Sequence, residues 1–160
     1  KLKTLDYDAR FIKLAGEINT YMPRHVVELI ISSLNEYKKP IKGSKILIVG
    51  VAYKKDINDC RESPALDIIQ ILKELGSKIE YYDPYVPTIS YGELKYEGLT
   101  NLDEDIFSKF DATVIVTDHS NIDYNFIDAF SKIIIDTRNV YKNGKNKSNI
   151  IRLGESLPTK

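Results

Sequence analysis

Tryptophan is absent from these 160 residues, and cysteine and methionine occur once each. A lone thiol, Cys60, excludes an internal disulfide and cannot by itself build a metal site. Net charge is lacking too. The 23 Lys and Arg balance 23 Asp and Glu, which removes any bulk electrostatic case for nucleic acid or an anionic membrane. No apolar run approaches the roughly 20 residues that span a bilayer. The opening KLKTLDYDAR has no apolar core of a secretory signal. A cytoplasmic setting is therefore expected, with neither nucleic acid nor membrane as partner. Glycine is scarce where a phosphate loop would need it. Only Gly50 stands between the first apolar run and the helix after it, so a pyrophosphate has no close backbone approach there. Methionine is also missing from the first position, so the chain is expected to be a piece of a longer protein.

What is present centres on Lys45 to Arg61, KILIVGVAYKKDINDCR, followed by Glu62-Ser63-Pro64. The continuous apolar run Ile46 to Val51 predicts a strand buried on both faces. A polar loop follows, with Lys54, Lys55 and Arg61 against Asp56 and Asp59. Ser63 and Pro64 read as N-cap and first position of a helix that Gly76 closes. In a parallel sheet this places the charges at the carboxyl end of a strand, where open α/β sheets bind ligands. An excess of cations there suits a phosphorylated ligand.

Upstream, apolar positions from Phe11 to Leu34 recur at helical spacing, predicting helix over 10–38. Pro23 implies a kink or two helices meeting near Tyr21. Such a helix has no sheet of its own to cover, and it suits packing on another subunit or another domain. Breakers at Pro40 and Gly43 mark a boundary. Beyond it strands and helices alternate, with strands predicted at 45–51, 78–82, 112–117 and 132–136 and helices at 64–75, 103–109 and 125–130. Residues 91–97 read as one short, weak strand, and the last twenty as a tail with at most one edge strand.

One rim thus collects Tyr53, Lys54, Lys55 and Arg61, then Asp83 and Tyr85, Asp118 and His119, and Asp136 and Arg138. Ligand contact competes with the plainer reading that every strand leaves the core through polar residues. A phosphate at this rim must be held by side chains. Arg61 and the helix start favour the Cys60 thiolate, yet no histidine is near it in sequence, so Cys60 reads as a loop residue. His119 reads as structural before base, and His25 as surface or interface. No residue set supports a metal site.

The block GVAYKKDINDCRESPALDII followed by YYDPYVP resembles the C-terminal UDP-sugar-binding domain of the UDP-glucose/GDP-mannose dehydrogenase family. The stretch RFIKLAGEIN with Met22-Pro23-Arg24 and Val26-Val27 is similar to the subgroup acting on UDP-N-acetylglucosamine and UDP-N-acetylmannosamine. The resemblance implies a Rossmann-like three-layer domain with a mainly parallel sheet, preceded by a long dimerisation helix. Residues 1–39 would end a central helical region that forms a homodimer, and 40–160 would bind a UDP-sugar. The family oxidises C6 of a nucleotide sugar to a carboxylate with NAD, through a cysteine, in products that supply surface polysaccharides. Carried onto this sequence, Tyr53, Lys54 and Arg138 would contact the UDP-sugar, with Asn139 a weaker candidate. Arg61 would reach NAD, which is bound mainly by a separate N-terminal domain. Lys55, Asp56 and Glu62 would hold the loop by ion pairing. Cys60 falls at a variable position and matches no catalytic cysteine, so this chain alone is expected to be inactive. A non-catalytic nucleotide-binding or dimerising module is the rival reading, and a receiver-like domain using Asp56 and Asp59 the third.

Overall fold

The computed structural model describes residues 10–92, 94–142 and 149–155. Five strands form one parallel sheet: β1 (Lys45–Val49), β2 (Lys78–Tyr82), β5 (Ala112–Ile115), β6 (Ile134–Asp136) and β7 (Ile150–Arg152), in the order β2-β1-β5-β6-β7. The other elements are α1 (Arg10–Glu36), α2 (Pro64–Glu74), the antiparallel pair β3 (Thr88–Tyr91) and β4 (Leu94–Glu97), α3 (Glu104–Ser108) and α4 (Tyr124–Phe130).

Period-two alternation in the strands feeds two cores, one on each face of the sheet. Ile46 and Ile48 of β1 join Val114, Ile135 and Ile151 under α1 and α2, with Ile30, Leu34, Ile68 and Leu72. Leu47 and Val49 point the other way, to Ile115, Ile134 and Ile150, where Phe107 of α3 and Ile127 of α4 cover them. Helices on both faces of a parallel sheet give the three-layer, Rossmann-like arrangement expected from the alternation. The β3-β4 pair adds Ile89 and Leu94 to the α1/α2 side.

Several boundaries differ from expectation. The first strand stops at Val49, because Gly50 takes φ +79° and the next two amides turn to a carboxylate instead of the sheet. The weak strand at 91–97 is a hairpin, turning at Gly92 with φ +57°. Of the tail, Ile150–Arg152 is a buried edge strand, while 143–148 and 156–160 lie outside the described residues. The first helix is one element with Pro23 inside it, and not two. Its second half has a packing partner in this chain: Pro23, Val26, Val27 and Ile30 are buried, against α2. Its first half does not bury its apolar residues, leaving Phe11 86%, Leu14 53% and Ile18 52% exposed.

Among the described residues no helix is long and apolar enough to cross a membrane, and no group of His, Cys, Asp and Glu is placed to hold a metal ion.

Candidate functional site

The chain runs from β1 to β2 on one side and returns to β5 on the other. Such a reversal opens a crevice beyond the carboxyl ends of the two diverging strands. Gly50 lies close against the Thr117 backbone at the strand ends, and the loops after β1, β5 and β6 contribute residues to the clefts there. The loop after β1 is pinned at several points. Tyr53 N–H donates to the Asp59 carbonyl at 2.7 Å. Thr117 Oγ1 donates to the Ala52 carbonyl at 2.7 Å. Ser63 caps α2 through a 3.3 Å bond from Ala65 N–H, and Pro64 follows at the first turn.

A cleft of about 510 Å³ lies on the α1 side, and Tyr53, Glu62, Pro64, Thr137 and Arg138 line it together with Asn19 and Met22 of α1. Tyr53 and Arg138, 85 positions apart in the chain, therefore share one cavity. Lys54 stands beside them, its ammonium 5.5 Å from the centre of the Tyr53 ring. Arg138 Nε donates to Asp118 Oδ1 at 3.1 Å, and Lys55 approaches the other Asp118 oxygen at 3.9 Å. Arg138 also faces a second cleft of about 420 Å³, with Lys55, Ser120 and Lys142. Asp118 thus holds two cations at the junction of the clefts, and both stay about half exposed.

Arg61 is placed apart from this group. Its guanidinium folds back on Asp59 through bonds of 2.9 and 2.7 Å while remaining 80% exposed. Those bonds hold the Asp59 carboxyl at about 2, so the pair stays ionised from neutral pH down to strong acid. Burial pushes the Cys60 thiol above its ordinary value, the opposite of what its neighbours in sequence implied. Cys60 is half-buried and poor in thiolate.

Three residues of the expected rim are not available to a ligand. Asp83, His119 and Asp136 are buried, and they hold backbone instead. Asp83 Oδ2 accepts from Val51 N–H (2.7 Å), Ala52 N–H (2.9 Å) and His119 Nε2 (3.0 Å). Its Oδ1 accepts from Tyr85 N–H (2.8 Å) and Val86 N–H (3.1 Å). Asp136 serves the loop after β6 in the same way, accepting from the N–H groups of Arg138, Val140 and Tyr141. Asp56 is held by hydrogen bonds: Ser120 N–H and Oγ lie 2.8 and 2.7 Å from its two oxygens, and they lower its carboxyl below the ordinary value. Glu62, expected to pair, lines the cleft instead, at φ +59°.

The cradle that a dinucleotide needs is filled. A Cβ on Gly50 would lie 2.2 Å from the Thr117 carbonyl oxygen, Pro64 offers no N–H, and the Ser63 hydroxyl is engaged. The residues at the β1–α2 turn do not fit NAD bound in the Rossmann manner.

The profile of the UDP-glucose/GDP-mannose dehydrogenase family, UDP binding domain, matches residues 47–143. A UDP-N-acetyl-D-mannosamine dehydrogenase of Methanococcus maripaludis is 37% identical over 141 residues, covering 83% of this chain and 31% of the relative. An NDP-N-acetyl-D-galactosaminuronic acid dehydrogenase of Ralstonia nicotianae is 29% identical over 136 residues, covering 83% of this chain and 30% of the relative. Among solved structures, the UDP-D-ManNAc dehydrogenase of Pyrococcus horikoshii superposes with a TM-score of 0.75 at 28% identity, over 96% of this chain and 35% of that one. The chain spans about a third of the length of the relatives it matches.

Proposed function

The chain belongs to the UDP-glucose/GDP-mannose dehydrogenase family, and from that membership we propose that it is the nucleotide-sugar-binding part of an NAD-dependent UDP-N-acetylhexosamine 6-dehydrogenase. Residues 40–160 form the UDP-sugar domain, and residues 1–39 end the central helical region. The observation that carries this reading is the shared cleft of Tyr53 and Arg138 at the sheet's reversal point. Tyr53 offers a ring face to one end of the ligand. Lys54 and Arg138 bring charge to the diphosphate, Arg138 as a planar fork and Lys54 as a mobile point charge. The reaction takes a primary alcohol to a carboxylate, delivering two hydrides to two NAD and consuming one water. This chain's share of it is to bind and orient the nucleotide sugar. In this reading the dinucleotide is held elsewhere in the enzyme, and Arg61, exposed on the rim and paired with Asp59, is the residue of this chain that reaches it.

Lys54→Ala and Arg138→Ala, in the intact enzyme, should each weaken nucleotide-sugar binding by about 10- to 150-fold, matching roughly 1.5–3 kcal/mol for a charge-assisted contact. Arg61→Ala should raise the requirement for NAD instead. Titration with UDP-N-acetylmannosamine and UDP-N-acetylglucosamine, together with the Michaelis constants, reads both effects. Unchanged constants for the sugar substrate in both variants would remove the site assignment. The rival, a non-catalytic module, is separated by the mass of the native product from its source cells. A product no larger than this chain's 18.3 kDa would favour the module.

We also propose a homodimer through α1. Phe11, Leu14, Ile18 and Tyr21 recur at helical spacing and are each at least half exposed. Leu14→Glu combined with Ile18→Glu should convert a dimer to monomer in sedimentation velocity. A species of unchanged mass would mean that this stripe lies outside the interface.

A further inference from the structure

We propose that His119 is a positioning residue for the nucleotide-sugar site, holding the Tyr53-Lys54-Lys55 segment in place by accepting the Asp56 N–H. The proposal rests on the reading of the cleft given above. Tyr53, Lys54 and Lys55 are all exposed, and the residues that bracket them are both anchored. Ala52 N–H donates to Asp83 Oδ2 at 2.9 Å, and Asp56 N–H donates to His119 Nδ1 at 2.9 Å. His119 Nε2 lies 3.0 Å from the same Asp83 oxygen, and both side chains are fully buried. One carboxylate–imidazole pair therefore fixes both ends of the segment.

The partners decide the hydrogen positions. A backbone N–H only donates, so Nδ1 accepts; the Asp83 oxygen already accepts from two backbone amides, so Nε2 donates. The Tyr85 ring packs against the imidazole, tilted by 39° with its centre 4.9 Å away. Tyr124 Oη fixes the backbone, donating to the His119 carbonyl at 3.1 Å. The latch is reciprocal, because Asp56 sends its carboxylate back to Ser120 N–H and Oγ. Asp56 also sits at φ +60°, in the left-handed region that aspartate tolerates better than most L-residues. Segments held in the binding geometry beforehand lose less freedom when the ligand arrives. Release of Asp56 should therefore weaken capture of the nucleotide sugar and leave the chemical step alone.

Two substitutions separate the halves of the imidazole. His119→Asn places an amide oxygen near the Nδ1 position and keeps the acceptor. His119→Gln reaches the Nε2 position with its NH₂ and keeps the donor to Asp83, with nothing at Nδ1. In the intact enzyme, His119→Asn should keep the nucleotide-sugar Michaelis constant within about threefold, and His119→Gln should raise it by about tenfold, the cost of a part-buried donor left without its acceptor. Turnover at saturation and the Michaelis constant for NAD should hold within about twofold for both, as for lost ground-state binding. Amide hydrogen exchange at Asp56 reads the latch without any ligand, and it should quicken in His119→Gln and stay slow in His119→Asn.

Equal Michaelis constants for the two variants would overturn the proposal, as would fast exchange at Asp56 with unchanged affinity. Failure of the wild-type enzyme to take any uridine nucleotide sugar would overturn the functional reading instead, while the exchange ranking still decides whether the latch exists. Should neither variant fold, Ser120→Ala loosens the same latch from its exposed side. A several-fold rise in the sugar constant is then expected, and no change would count against the latch.

Discussion

Gly50→Ala should destabilise the fold by about 2–5 kcal/mol, from a left-handed backbone and a backbone clash together. Gly50 sits at φ +79°, and an added Cβ would lie 2.2 Å from the Thr117 carbonyl oxygen and 2.8 Å from its carbonyl carbon. Backbone on both sides is fixed. Thr117 Oγ1 donates to the Ala52 carbonyl, and Val116 N–H donates to the Val49 carbonyl at 2.9 Å. Neither strand has room to yield without breaking the β1–β5 ladder. Gly43→Ala is the control, because Gly43 shares the positive φ (+85°) and a Cβ there would meet nothing within 4 Å. That change should cost only about 1–2 kcal/mol, the conformational part alone. Urea midpoints at unchanged slope report the difference. Equal losses for the two glycines would mean that the close approach of the β1 and β5 ends is not what requires glycine.

The alternation of strands and helices was legible because the buried strands are short apolar runs bounded by breakers, and the helix caps carry their usual residues. Ser63 and Pro64 start α2 as their types imply, and Gly76 follows it at φ +81°. The hairpin at 88–97 was not, since its pairing is a tertiary event and two prolines at 84 and 87 mask the first strand. Pro23 was read as an interruption. Helix continues through it because Pro23, Val26, Val27 and Ile30 bury one face against α2, and this packing outweighs one missing hydrogen bond.

At the site, the strand-end rule was enough to bring Tyr53, Lys54 and Arg138 to one rim. It did not separate residues that face a ligand from those that hold the loops. Asp83 and His119 look like rim residues in the sequence, and their roles depend on partners 31 to 63 positions away. Nothing local in YYDPY or TDHS encodes those partners. The same limit hid the direction of the Cys60 thiol's shift, since its burial outweighs the cation beside it in sequence.

Asp83→Asn should destabilise the fold by about 2–4 kcal/mol and weaken nucleotide-sugar binding with it, since one carboxylate accepts from four backbone amides and one imidazole. An amide keeps one oxygen. Turned toward Val51, Ala52 and His119, it sets its NH₂ against the N–H groups of Tyr85 and Val86; turned the other way, it abandons the larger set. Each buried donor without an acceptor costs about 1–3 kcal/mol, so two set the expected size and partial entry of water trims it. Asp136→Asn provides the comparison. That carboxylate accepts from three amides, all in the loop that carries Arg138. Its loss should spare the Tyr53-Lys54 segment and act on binding through Arg138 alone. Combining Asp83→Asn with Lys54→Ala should then fall well short of additive in binding, because both act on one segment, whereas Asp136→Asn with Lys54→Ala should add. Urea denaturation and titration with a UDP-sugar on the three single and two double variants give the two couplings. A wild-type urea midpoint in Asp83→Asn would show that the five bonds are replaceable, and the loop after β1 would need another anchor.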